Sequence, residues 1–552
     1  MERTRWYKNK VFYQVWPRSF ADGNGDGIGD LAGVLAKLDY IRSLGADGIW
    51  FSPLYPSPNA DCGYDISDYT DINPEYGDLA LFRRVLAGAH ERGMAVLMDL
   101  VVNHTSDEHP WFQKSRRRIE PYTDYYIWRP ARPDGGLPNN WDSLFEGKAW
   151  QWDDVRGEYY LHLFAVKQPD LNMDNPRVRE EVKEILRFWL ELGVDGFRED
   201  VITFISKAEG LPDDRLMPAS RGLPYYNHGP HIHEYLSEFR RDVFFKYDCM
   251  TLAEAPLVRP KKALEYIREP DGELDMMIQF QCMCADCLLT DYFPLPFSLL
   301  RLKRAFGGWQ RGVRGRGWNI LYLENHDHPR IISRYGSEKF RVQSGKMLAA
   351  AYLFLQGTPF IYQGQEIGMT NWRPDSAEQY EDVQTRYQYK VWHPHAPEKL
   401  RLARLWRASR DSARTPMQWT DGENAGFSAA KPWFAVNPNY RDVNAAAQER
   451  DPDSLLNFYR AAIALRKSLP VVRDGKYREW YRLSRELYVY ERRNGNQRLL
   501  VVCSFTARPV RFAAPPGCDL AAGKLLLKNY GDELLENGFT TKPYETRVYL
   551  FE

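Results

Sequence analysis

The chain has 552 residues, enough for two or three domains and a large core. Its 74 Lys plus Arg balance 74 Asp plus Glu, which leaves no net field to favour a nucleic acid or an anionic membrane as partner. Aromatic residues make up 14%, and such rings suit stacking on sugars as well as filling a core.

The opening stretch, MERTRWYKNKVFYQVWPRSF, lacks the apolar core of a secretion signal. Within it, VFYQVW (11–16) is the first of eight short apolar runs. It leads into DGNGDGIGD, where Asp22, Asn24, Asp26 and Asp30 offer side-chain oxygens and Ile28 a backbone carbonyl. Alternating oxygen ligands in a Gly-rich loop suggest an EF-hand-like site without its terminal Glu, for Ca²⁺ or alternatively Mg²⁺. The competing reading is a polar turn closed by its own Asx hydrogen bonds.

The remaining runs are GIWFSP (48–53), AVLMDLVV (95–102), GVDGFR (193–198), MTLAEA (250–255), LDMMIQF (274–280), NILYLE (319–324) and PFIYQG (359–364). Between them lie helical patterns such as LAGVLAKLDYIRSLG, LALFRRVLAGAHERG and VREEVKEILRFWLELG. Each is apolar at i, i+3, i+4 spacing and stops at a Gly. This alternation predicts an α/β fold, a closed (β/α)₈ TIM barrel spanning 1–104 and 173–472.

The gap from strand three to strand four, about 90 residues, is some three times the ~30 residues of a βα unit, so 105–172, rich in Trp, Tyr and Pro, reads as an inserted domain. A second insertion, 369–420, follows strand eight. Beyond DSLLNFYRAAIALRKSLP, the runs LYVYER, RLLVVCSF, GKLLLKN and TRVYLFE alternate with period two, and 473–552 predicts an antiparallel β-sandwich. The seven cysteines, an odd count without a leader, suit reduced thiols in the cytoplasm. Cys282, Cys284 and Cys287 are close in sequence, but they lack a fourth ligand and sit among apolar residues, which argues against a metal cluster. No run of about 18 apolar residues suggests a membrane span.

Barrel enzymes place their chemistry at the C-terminal ends of strands. Here strand three ends in Asp99, Asn103 and His104, strand four in Arg198 and Asp200, strand five in Glu254, and strand seven in Asn325, His326 and Asp327. One such residue reads as a cap or a salt bridge; four strands aiming acids or imidazoles at one rim read as a site. Asp200, Glu254 and Asp327 supply the equipment of glycoside hydrolysis, with a retaining mechanism needing two of them about 5 Å apart. Arg198 falls on the same side of its strand as Asp200 and is placed to keep it ionised. Glu254, beside Ala253, Ala255 and Pro256, is expected in apolar surroundings that favour its acid form.

The motifs DLVVNHTSDEHPWF (99–112), QPDLNMDNP (168–176), GFREDV (196–201), AEAP (253–256), ENHDHPR (324–330), YQGQEIGMTN (362–371) and SRDSARTPMQW (409–419) resemble the α-amylase superfamily, glycoside hydrolase family thirteen. The likeness runs nearly the whole length, in the oligo-1,6-glucosidase and α-glucosidase branch. It implies that Asp200 is the nucleophile, Glu254 the general acid/base and Asp327 the transition-state stabiliser. It further implies that His104, Arg198 and His326 hold the glucose, with Asp61 and Tyr64 at the pocket floor. Asp61 and Arg414 would close the pocket end, Phe145, Phe164 and Gln168 would line it, and Arg410 is a further candidate. Val201, after the nucleophile, goes with α-1,6 cleavage in this branch, and Glu366 is a candidate aglycone contact or a helix cap. Glu199, Glu324 and His328 depart from the branch's usual Met, Asn and Gln and add charge near the pocket.

The resulting expectation is a cytoplasmic, monomeric, retaining exo-α-glucosidase acting on isomaltose and other short α-glucosides, without an organic cofactor. The alternatives are an α-1,4-preferring glucosidase, or a transglucosylase or sucrose isomerase with the same machinery. A non-catalytic transporter-associated homologue is disfavoured, because all three carboxylates are present and no membrane anchor is evident.

Overall fold

A computed structural model of the chain describes residues 5–288, 290–531 and 537–552. The eight apolar runs become eight parallel strands: Phe12–Val15, Gly48–Phe51, Ala95–Leu100, Gly196–Glu199, Met250–Glu254, Met276–Ile278, Ile320–Leu321 and Thr358–Tyr362. Numbered one to eight along the chain, they are hydrogen-bonded in the order seven, eight, one, two, three, four, five, six. The strands are buried on both faces, as a sheet with helices outside and packed side chains inside requires.

Strand seven is shorter than NILYLE suggests, and no ladder joins it to strand six among the described residues. Side chains bridge that gap instead: the Tyr322 hydroxyl donates to the Gln279 carbonyl at 2.9 Å. Leaving the ladder early frees the chain to deliver residues 325–327 to the rim.

The helix Pro176–Leu192 shows how local sequence sets the frame. Asn175 caps it by accepting from the Arg177 amide, Pro176 opens its first turn, and Gly193, at φ 110°, ends it. The stretch LAGVLAKLDYIRSLG departs from the expected single helix. It forms two, Leu31–Ala36 and Leu38–Ser43, broken at Lys37, whose ammonium lies 4.1 Å over the Trp419 ring.

Within 105–172 three strands, Trp150–Asp153, Glu158–Leu161 and Trp128–Arg129, form a small antiparallel sheet. Its apolar residues Trp141, Phe145 and Phe164 share one buried cluster with Val201, Phe204 and Tyr226, which follow strand four. The insert is therefore packed onto the rim that carries the strand-four acid. After strand eight, the second insertion contributes the helices Val383–Val391, Glu398–Ala408 and Asp411–Arg414.

At the C-terminal end five strands, Lys476–Trp480, Leu487–Asn494, Gln497–Ser504, Thr546–Phe551 and Lys524–Lys528, lie in that order in an antiparallel sheet. Period two divides its faces. Leu487, Val489, Leu500 and Val502 pack with Phe512 and Phe539, whereas Tyr488, Tyr490, Val501 and Cys503 join the barrel core. The second layer is thinner than a full sandwich: among the described residues it is a two-stranded pair, Arg511–Ala513 with Gly538–Thr540.

Lys303, buried at the junction with the barrel, donates to the carbonyls of Tyr481 (2.6 Å), Ser484 (3.2 Å) and Leu487 (3.2 Å). Replacing it with Met would strip the Ser484 and Leu487 carbonyls of this donor and leave Glu479, 3.6 Å from the ammonium, without this cation, while Tyr481 keeps the Ser484 amide; each buried group stranded from water costs about 1–3 kcal/mol. Lys303→Met is expected to lower the thermal midpoint in calorimetry, and an unchanged midpoint would show that this junction contributes nothing to stability.

Candidate active site

Strands three, four and five present Asp99, Arg198 and Glu254 side by side, with Asp99 and Arg198 in direct register. The Arg198 guanidinium sits among three acids: Nη1 lies 2.6 Å from Asp99 and 2.7 Å from Asp200, and Nη2 lies 2.8 Å from Glu254. Asp200 and Glu254 are thus fixed on the two arms of one planar group, close enough to flank a single bond.

The turn after Asp200 is strained. Val201 adopts φ 35°, ψ 37°, the left-handed region that a β-branched residue rarely enters. That conformation aims the Val201 amide at Glu254, to which it donates at 3.0 Å. Glu254 therefore has polar partners on both oxygens, unlike the apolar surroundings expected from its sequence neighbours.

Burial raises the Asp200 carboxyl well above the ordinary range; Arg198 opposes this, and Glu254 and Asp99 add to it. Burial likewise pushes Asp99 up to about 6 against the pull of Arg198. The cause is arithmetic: three buried acids face one cation.

His326 is clamped between rings, 5.3 Å from Tyr64 and 5.2 Å from Trp16, nearly parallel to both. Its Nδ1 faces the Gln14 amide nitrogen at 2.7 Å, so Nδ1 accepts and the proton rides on Nε2. Nε2 reaches Tyr64 Oη (2.6 Å) and Asp327 (3.0 Å), while Tyr64 Oη donates to Asp99 at 3.0 Å. Burial lowers His326 to about 4, and it lowers His104 to about 4 as well, so both rings are neutral at pH 7. His104 is anchored below the site by contacts with Tyr64 O (3.2 Å) and Gln168 (3.1 Å). Gln168 also reaches Asp61 at 3.4 Å.

Burial would raise Asp327, but His326, Arg410 and Arg414 outweigh it and hold the carboxyl well below the usual range. Because His326 is neutral at pH 7, the two guanidinium groups are the decisive partners. Arg410 lies 3.2 Å from Asp327, 3.1 Å from Asp61 and 2.5 Å from Asp382, with the Phe145 ring 4.8 Å from its guanidinium carbon. Arg414, fully buried, approaches Asp327 at 3.4 Å and donates to the His326 carbonyl at 3.2 Å.

The residue ion-paired to Asp61 is accordingly Arg410, and Arg414 stands behind it as a brace. Asp382 escaped sequence reasoning: it lies in YEDVQTRYQYK, far from any strand end, with no local cue to its role. Gln14, one residue from the end of strand one, was missed because it carries no charge to mark it within an apolar run.

A cavity opens above these groups. Its walls include Asp61, Tyr64, His104, Phe145, Phe164, Asp200, Val201, Glu254, Asp327 and Arg410. Arg198, Gln168, His326 and Arg414 lie beneath or behind those walls. Val201 both lines the cavity and packs in the Phe164–Phe204 cluster, so its packing and site readings coexist. Glu366 is not an aglycone contact: it is fully buried, accepts from Tyr13 (2.9 Å) and Tyr40 (2.7 Å), and is raised to about 7 by that burial. Glu324 pairs with Arg330 at 3.1 Å and accepts from the Ile331 amide, a structural role, whereas His328 reaches the cavity wall.

The loop at 22–30 is separate from the cavity. Asp22 accepts from the amides of Asn24, Gly25 and Gly27 and from the Ser428 hydroxyl. Asp30 accepts from Gly23, Asn24 and Gly33, the last as a helix cap, and Asp26 accepts from Ile28.

Comparison with known proteins places these observations. The family description "Alpha amylase, catalytic domain" matches residues 14–475. The oligo-1,6-glucosidase of Parageobacillus thermoglucosidasius is 48% identical over 100% of this chain and 99% of its own length. Among solved structures, Bacillus licheniformis trehalose-6-phosphate hydrolase (TreA) superposes with TM-score 0.94 at 43% identity, covering 99% of this chain and 100% of that one. The trehalulose synthase MutB of Pseudomonas mesoacidophila MX-45 superposes with TM-score 0.94 at 40% identity, covering 100% of both chains. With its strand-end acids gathered on one guanidinium and full-length likeness to these enzymes, the chain belongs to the α-amylase family of glycoside hydrolases.

Proposed function

We propose that the protein is a retaining, exo-acting α-glucosidase that frees glucose from the non-reducing end of short α-glucosides, preferring α-1,6 linkages such as that of isomaltose. The observation that carries this reading is the joint hold of Arg198 on Asp200 and Glu254, with Asp327 across the cavity. In the first step an Asp200 oxygen bonds to the anomeric carbon. The glycosidic C–O bond breaks, and Glu254 passes its proton to the departing oxygen. In the second step water bonds to the same carbon and the Asp200 ester breaks, while Glu254 takes the water's proton. Asp327, ionised between Arg410 and Arg414, faces the positive charge that develops on the ring.

Exo cleavage is supported by the Asp61–Arg410 pair, which is buried and would meet the outer hydroxyls of a single glucosyl unit. The α-1,6 preference is supported by Val201 on the cavity wall and by the oligo-1,6-glucosidase relatives. An α-1,4-preferring glucosidase, a transglucosylase and a sucrose isomerase would use the same acids, and the likeness to a trehalulose synthase keeps the last of these in view. Phosphorylated substrates are disfavoured, because Arg410 on the cavity wall is already shared by three carboxylates.

For the loop at 22–30 we propose a structural Ca²⁺, with Mg²⁺ as the alternative. The donor set fits a hard cation: carboxylates of Asp22, Asp26 and Asp30, the Asn24 amide oxygen and the Ile28 carbonyl are all oxygens. Hydrogen bonds from Ser428 and from loop amides outweigh burial and keep Asp22 below its usual range, whereas burial raises Asp30. The seven cysteines are free, which supports a cytoplasmic setting, and no helix among the described residues is long and apolar enough to cross a membrane. A monomer remains part of this reading.

Three measurements test it. Initial rates on isomaltose should exceed those on maltose, and Asp200→Asn should abolish both; an Asp200→Asn enzyme as active as its parent would end the catalytic assignment. The pH profile of kcat/KM should rise near pH 6, where Asp99 ionises, and fall at higher pH as the acid cluster gives up its last proton. Asp99→Asn removes a negative neighbour and makes that proton easier to lose, so the alkaline limb should move down by ~1 pH unit; an upward move would contradict the charge balance. Chelation with EDTA should lower the melting temperature, and added Ca²⁺ should restore it. Occupancy at a hundredfold excess over Kd is worth about 2.7 kcal/mol, and a melting point indifferent to both would remove the metal.

A further inference from the structure

His328 follows Asp327 by one residue and is 8% exposed. Its Nδ1 lies 2.6 Å from Asp291. The other oxygen of Asp291 accepts from Arg334 at 2.8 Å, and Arg334 is also paired with Asp286 at 2.7 Å. Phe280 packs edge-on against the imidazole, with ring centres 5.4 Å apart. This chain of contacts fixes the ring's orientation and places a proton on Nδ1. It leaves Nε2 as a buried nitrogen with no protein partner. Such an atom is costly to bury unless something else satisfies it.

The ring lines the cavity together with Phe280, Cys284 and Asp291. These residues come from the end of strand six and the segment after it. The groups that would surround the cleaved glucose, Asp61, Tyr64, His104 and Arg410, come from other segments. By elimination the His328 wall belongs to the departing half of the substrate.

We infer that His328 hydrogen-bonds a hydroxyl of the leaving sugar, and that Asp291 and Arg334 hold it in place as a specificity element of the aglycone subsite. The inference rests on the α-glucosidase reading above and assigns a recognition role to one wall of that site. A hydroxyl both donates and accepts, so it suits Nε2 whether the imidazole is neutral or charged. The contact is made to the substrate and not to the reacting carbon, so it is expected to act on specificity.

The test compares isomaltose with phenyl α-glucoside, whose leaving group carries no hydroxyl. His328→Ala should reduce kcat/KM on isomaltose about 10- to 100-fold, the usual worth of a lost buried hydrogen bond. On phenyl α-glucoside the same variant should stay within about threefold of the parent, and inhibition by glucose bound in the cleavage subsite should be unchanged. His328→Gln, which keeps a hydrogen-bonding amide, should recover part of the isomaltose rate. Equal losses on both substrates would reduce His328 to a structural role, and an unchanged isomaltose rate would remove it from the subsite; either result overturns the inference. A parent enzyme inactive on both substrates would instead fail the α-glucosidase reading, before any variant is compared.

Discussion

The arrangement depends on the burial of one guanidinium, that of Arg198, among three carboxylates from adjacent strands. Barrel geometry makes this meeting unavoidable. Asp99 and Arg198 are register partners, the neighbouring strand carries Glu254 two residues beyond Leu252, the partner of Arg198, and the two-residue period puts Asp200 on the same side as Arg198. Without the cation, three acids at this depth would repel one another and take up protons, because an unpaired buried charge is far costlier than a paired one. Lysine would not serve equally: the forked guanidinium offers separate nitrogens to Asp200 and Glu254 and so sets their spacing as well as their charge.

A second charged knot ties the long insertions to that centre. Arg410 and Arg414, from the segment after strand eight, meet Asp327 from the end of strand seven and Asp382 from the same insertion. Arg410 also meets Asp61, in the connection after strand two, and Phe145 of the inserted domain packs on its planar face. Four separated stretches of chain therefore converge on one side chain. The insertions belong to the site itself: losing Asp61, Asp327 or Asp382 would change the charge around Arg410, and losing Phe145 would uncover its planar face.

Much of this was legible because the barrel imposes simple rules on sequence. Strands buried on both faces read as unbroken apolar runs, and the charges that interrupt them, as in GVDGFRED, mark the rim. Asp99, Arg198, Asp200, Glu254, His326 and Asp327 were visible for that reason. Contacts set by tertiary convergence left no such trace. Asp382 and Gln14 sit in unremarkable local patterns, and the choice between Arg410 and Arg414 as partner of Asp61 turns on side-chain reach within a short helix. Glu366 misled for the complementary reason: a Glu after a strand end looked accessible, but it turns inward to meet Tyr13 and Tyr40. The thin second layer of the C-terminal sheet has a related cause. One face of the sheet, through Tyr488, Tyr490 and Val501, is covered by the barrel itself, so the second layer has only the opposite face to cover.

Taken together, the two knots leave a deliberate imbalance of charge. Asp61, Asp99, Asp200, Glu254, Asp327 and Asp382 are set against Arg198, Arg410 and Arg414, and the two histidines of the pocket are neutral at pH 7. The excess is negative, and the raised values of Asp61, Asp99 and Asp200 show where burial pushes back against it. Asp327 and Asp382, each flanked by two guanidinium groups, escape this pressure and stay ionised. A sugar ring passing through an oxocarbenium-like state brings the one thing such a pocket lacks, a transient positive charge in its midst. Fixed carboxylates already held in place by the fold need no reorganisation to meet that charge, which makes the pocket more complementary to the transition state than to the neutral substrate.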